Sequence, residues 1–70
     1  MKLCAIVHLK NGDIVNGVTD EYTEYDYREI LKMVRDIKNL KYFCVVTSKS
    51  SKCYFNPDDI SYIEIITPEN

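Results

Sequence analysis

The chain has 70 residues, with nine basic and eleven acidic side chains, a formal net charge of −2 and 46% hydrophobic positions. A chain of this length makes one domain and buries only about 60% of the surface that its unfolded form exposes. A balanced, slightly acidic charge argues against broad electrostatic adhesion to nucleic acid or to an anionic membrane, although it leaves room for a local basic patch.

The first stretch, "KLCAIVHLK" over residues 2–10, is apolar and β-branched, and Leu3, Ala5, Val7 and Leu9 alternate onto one face. Its core "LCAIVHL" is too short for a membrane span and is interrupted by His8, so no membrane association is expected. Asn11-Gly12 follows between two apolar runs, which predicts a hairpin with a type I′ turn. Residues 13–19, "DIVNGVT", form the returning strand, and Gly17 inside it marks a bulge or a bend where backbone approaches backbone.

From Tyr27 the apolar period changes to 3.6. Tyr27, Ile30, Leu31, Val34 and Ile37 form one stripe on a helix from about residue 24 to 39. Thr23, with Asp26 three residues on, is a variant capping box, Glu24 and Asp26 suit the positive end of the helix dipole, and Glu24 with Arg28 is a favourable i,i+4 pair.

Residues 41–48, "KYFCVVTS", read as a strand. "SKSSK" reads as a polar loop returning into "CYFN" at 53–56, Pro57-Asp58-Asp59 as a turn, and "ISYIEIIT" at 60–67 as the last strand before Pro68. The predicted class is α+β. It is a single small domain over residues 1–70 in the order β-β-α-β-β-β, with one helix packed on a strongly bent antiparallel sheet.

With the strands placed, Val7, Leu9, Gly12, Val15 and Gly17 stand at the spacing of the first motif of Sm and Sm-like proteins. "CYFNPDDISYIEIITPE", residues 53–69, resembles the second motif at Phe55, Ile60, Tyr62 and Ile63. The two stretches cover about 28 residues. The resemblance implies a bent sheet or partial barrel. It does not carry over the family's RNA-binding positions, because "TDEYTEYDY" stands where a base-binding segment would be and Asn56-Pro57 replaces Arg-Gly.

Cores of this size supply only about 3–5 kcal/mol, and the common supports are disulfides, a metal or oligomerisation. Cys4, Cys44 and Cys53 are odd in number and contain no C-x-x-C pair, so they form neither a closed disulfide framework nor a zinc site. They read as small core hydrophobes in a reducing cytoplasm. No cofactor is expected, and homo-oligomerisation is the remaining support.

No nucleophile and base pair can be named. His8 is the lone imidazole and reads as a side chain on the outer or edge face of its strand, and Asp58-Asp59 lack the alternating ligands of a calcium loop, so no catalytic residue, no metal and no enzyme are expected.

Two surfaces can carry binding. The first joins Tyr22, Glu24, Tyr25, Asp26, Glu29, Met33 and Asp36, where aromatic, Met and acidic side chains share the start of the helix and the side opposite its apolar stripe. Such surfaces suit a protein partner, and the negative charge attracts a basic one. The expected form is an oligomeric inhibitor or sequestering protein. Ile, Lys, Asn and Tyr fill 26 of the 70 positions while Ala occurs once, a bias of AT-rich coding that fits bacteria of that kind and their phages as a source, and the inhibitor is expected to be that of a phage or mobile element. The alternative surface is the loop of Lys49, Ser50, Ser51 and Lys52, whose ammonium and hydroxyl groups suit an anion, a nucleotide or RNA.

Overall fold

The computed structural model describes residues 1–48 and 50–68. The strands are β1 (Lys2–Leu9), β2 (Ile14–Asn16), β3 (Asp20–Glu21), β4 (Phe43–Ser48), β5 (Ser51–Phe55) and β6 (Ile60–Ile66), and the helix α1 (Glu24–Arg35) lies between β3 and β4. The fold is α+β, as predicted. The two-residue strand β3 is an addition for which the sequence offers no signal.

β1 is the centre of the molecule. It pairs antiparallel with β2, placing Val7 opposite Val15 and His8 opposite Ile14, and on its other side with β6, placing Val7 opposite Ile63 and His8 opposite Tyr62. Its first residues pair with β3 through Lys2–Glu21 and Leu3–Asp20. β4 and β5 form a separate antiparallel ladder with Phe43 opposite Phe55 and Val45 opposite Cys53. The single bent sheet expected from sequence is therefore two ladders. They are joined where the Val18 N–H donates to the Val46 carbonyl at 2.9 Å. Among the described residues no ladder joins β5 to β6, so the strands do not close into a barrel.

Alternation along the strands decides what is buried. Leu3 and Val7 of β1, Phe43 and Val45 of β4, and Ile60 of β6 are the buried core, with Val7 wholly inaccessible. Val15, Ile63, Phe55 and, from the helical side, Val34 and Ile37 pack partly buried against it. The helix covers this core incompletely, since none of its twelve residues is fully buried.

Three local expectations are corrected. The first hairpin does not use a type I′ turn. Gly12, at φ 96°, is the sole residue with positive φ among the described residues, so Asn11 keeps an ordinary conformation. The Gly12 N–H donates to the Leu9 carbonyl at 3.0 Å and the Leu9 N–H to the Asp13 carbonyl at 2.9 Å. That is a three-residue loop, a type I turn closed by a left-handed glycine bulge.

The helix, expected to reach residue 39, ends at Arg35. The Asp36 N–H still donates to the Lys32 carbonyl, and a single 3₁₀ turn over Ile37–Asn39 follows. Asn39 holds this turn by donating to the Asp36 carboxylate. At the other end Thr23 caps, its Oγ1 accepting from the Asp26 N–H at 3.1 Å, but among the described residues no return bond of the expected capping box runs from the Thr23 N–H to the Asp26 carboxylate. The expected Glu24–Arg28 pair is replaced by Glu29–Lys32, with Nζ to Oε1 at 3.4 Å.

Candidate protein-binding groove

The groove originates at Gly17. Its N–H donates to the Ala5 carbonyl at 2.7 Å, which ends the β1–β2 ladder. A Cβ built at this position would lie 2.7 Å from Val45 Cγ1 and 2.9 Å from the Ala5 oxygen. Only glycine lets the β1 and β4 layers approach this closely; the close approach expected of Gly17 is present, but the returning strand expected over residues 13–19 is only Ile14–Asn16 and Gly17 lies just beyond it. From Val18, bonded to Val46, the chain crosses to β3, and the Tyr22 N–H then donates to the Met1 carbonyl at 2.7 Å. The cap at Thr23 follows immediately and sets the direction of α1.

These constraints leave an apolar hollow of about 230 Å³ between β1, the segment from Gly17 to Tyr22, the helix and β4. Leu3, Tyr22, Ile30, Met33, Phe43 and Val45 line it together with the thiols of Cys4 and Cys44, and no charged residue lines it among the described residues. The Cys4 thiol is directed at the Gly17 carbonyl, 3.2 Å away. Small-molecule sites start at about 300 Å³, so the hollow matches one or two anchoring side chains better than a whole ligand. Val18, Met33 and Val46 are exposed at its margin.

The residues singled out from sequence are split by the fold. Tyr22 and Met33 belong to the groove. Met33 is therefore not on the side opposite the apolar stripe: it flanks that stripe beside Ile30 and is 43% exposed. Asp26, Glu29 and Met33 fall at i, i+3 and i+7 and so share one edge of the helix, which places two carboxylates beside the groove margin. Tyr25, 66% exposed, and Asp36 lie away from it, and the exposed Glu24 opens the helix.

The alternative loop is shorter than expected. Ser51 and Lys52 belong to β5, with Lys52 opposite Val46, and Ser50 stands in the turn. Lys49 lies outside the described residues.

Sequence reasoning missed one constellation. His8 Nε2 lies 2.5 Å from Glu64 Oε1, and its ring stacks on Tyr62 with centroids 4.0 Å apart and planes 12° from parallel. The partners are brought together by the β1–β6 register across 56 positions of chain, for which no local signal exists. No cluster of three or more His, Cys, Asp or Glu side chains suited to a metal occurs among the described residues. Among the described residues no helix is long and apolar enough to cross a membrane.

Fold and site together define a small α+β domain whose most distinctive surface is an apolar hollow with an acidic helical edge. No protein-family model matches the chain, and neither a curated protein nor a solved structure does.

Proposed function

We propose that the protein is a non-enzymatic binding module of the cytoplasm that acts by protein–protein contact, inhibiting or sequestering its partner. The observation that carries this reading is the uncharged hollow rimmed by exposed Val18, Met33 and Val46. A desolvated pocket that takes an anchor side chain is the usual seat of binding energy in an interface. The helical edge carrying Asp26 and Glu29 adds a preference for a partner with basic groups flanking its apolar anchor.

The test is calorimetric. A partner recovered from the native host with the intact chain is purified, and its affinity is measured for the wild type, Met33→Asp, Val46→Asp and Tyr54→Ala. Met33 and Val46 stand at the groove, whereas the exposed Tyr54 packs against Tyr42 on the hairpin, with ring centroids 5.5 Å apart. The two groove variants are expected to bind at least tenfold more weakly, about 1.4 kcal/mol, with Tyr54→Ala unchanged. Full affinity in both groove variants removes the reading.

A further inference from the structure

We infer that the chain forms a two-fold symmetric dimer through the free edge of β6, which makes one continuous sheet across two copies. This goes beyond the groove, because it uses the free edge of β6, on the side of β1 away from β2; within β6 only Ile65 also lines the groove.

Among the described residues β6 is paired on one side alone, with β1. Solitary domains guard such an edge with charged side chains, Lys above all, with Pro, with bulges or with very short strands, and here Glu64 is the one charge. Ile60–Ile66 has seven residues and contains neither Lys nor Pro; its irregularity lies at the start, where the register shifts at Ser61.

Beside the edge a cleft of about 430 Å³ runs between β6 and the end of α1, lined by Val34, Ile37 and Lys38 on the helical side and by Ile60, Tyr62 and Ile63 on the strand. A strand added to β6 turns alternate side chains into that cleft, the arrangement by which edge addition gains both backbone hydrogen bonds and side-chain specificity.

The occupant is a second copy of this chain because β6 is complementary to itself. In an antiparallel pair centred on Ile63, that residue meets its own counterpart, and Tyr62 faces the second copy's Glu64. The strand's single charge therefore never opposes itself. The two Ile63 side chains then meet at the mouths of the two clefts and cover Val34 and Ile37, which the monomer leaves partly uncovered.

The accessible surface of the whole chain, 5230 Å² for 8.2 kDa, is about 700 Å² above that of a compact monomer of this mass, a surplus comparable with the roughly 800 Å² per partner that a stable interface removes.

The test uses the full chain. Analytical ultracentrifugation at high micromolar concentration is expected to give twice the chain mass, and Ser61→Lys with Ile66→Lys, both at exposed positions, is expected to give the monomer. Isotope-filtered NMR on a mixture of labelled and unlabelled wild type is expected to show contacts between copies at Tyr62, Ile63 and Glu64. A monomeric wild type, a double variant that remains dimeric, or intermolecular contacts confined to another surface each overturns the proposal. Because neither lysine lies in the groove, loss of the dimer with partner binding retained separates this proposal from the proposed function.

Discussion

Replacing Gly17 by Ala tests the contact that creates the groove. The added methyl would stand 2.7 Å from Val45 Cγ1 and 2.9 Å from the Ala5 carbonyl oxygen. The Val45 side chain is buried, and the Ala5 oxygen already accepts from Gly17 itself, so neither neighbour yields without moving a strand. Overpacking of this kind costs about 1–3 kcal/mol, and the upper half of that range applies because one obstacle is backbone. Against a margin of about 3–5 kcal/mol for so small a core, the substitution takes away roughly 40% or more of the stability. With a urea slope of about 1 kcal/mol per molar, the unfolding midpoint falls by roughly 2 M.

Gly12 is the control. It has φ 96°, but a Cβ there meets nothing within 4 Å. Asn tolerates the left-handed region, so Gly12→Asn restores most of what Gly12→Ala loses, whereas Gly17→Asn is at least as damaging as Gly17→Ala. Urea titrations at one fixed protein concentration read all four, since the proposed dimer would make stability depend on concentration. A loss below about 0.5 kcal/mol for Gly17→Ala, the size of an ordinary surface change, refutes the close-approach argument.

Val7→Ala removes two methyl groups from a wholly inaccessible core side chain. It should cost about 2–3 kcal/mol from lost transfer energy and the cavity left behind, seen as a lowered urea midpoint and reduced amide dispersion in NMR spectra. Ile14→Ala, on an exposed position of β2, should by contrast stay within about 0.5 kcal/mol. Thr23→Ala deletes the side-chain acceptor for the Asp26 N–H and should lose about 1 kcal/mol, with a weaker helical signal in far-UV circular dichroism. An unchanged midpoint would show that the cap does not hold the first turn.

The helix and the first hairpin are legible because their causes are local. A 3.6-residue apolar stripe, a capping threonine and a glycine after an asparagine act within a few positions of the chain, and each leads to the element observed. The errors lie where local preference is overruled at short range: Asn11 keeps an ordinary conformation because the loop has three residues, and α1 stops at Arg35 because Asp36 and Asn39 tie the next turn into a 3₁₀ conformation.

The site was half visible. Gly17 announces a close approach, but not that Val45 lies on the other side of it. Tyr22 and Met33 are recognisable as binding types, yet only packing separates them from Tyr25 and Asp36, since the direction of α1 is set by where the chain crosses from Val18 to Thr23. The pairing of His8 with Glu64, the strand at Asp20–Glu21 and the free edge of β6 have no local cause. Each depends on which distant segment lies alongside β1, and that choice is made by burying Val7, Phe43, Val45 and Ile60 together.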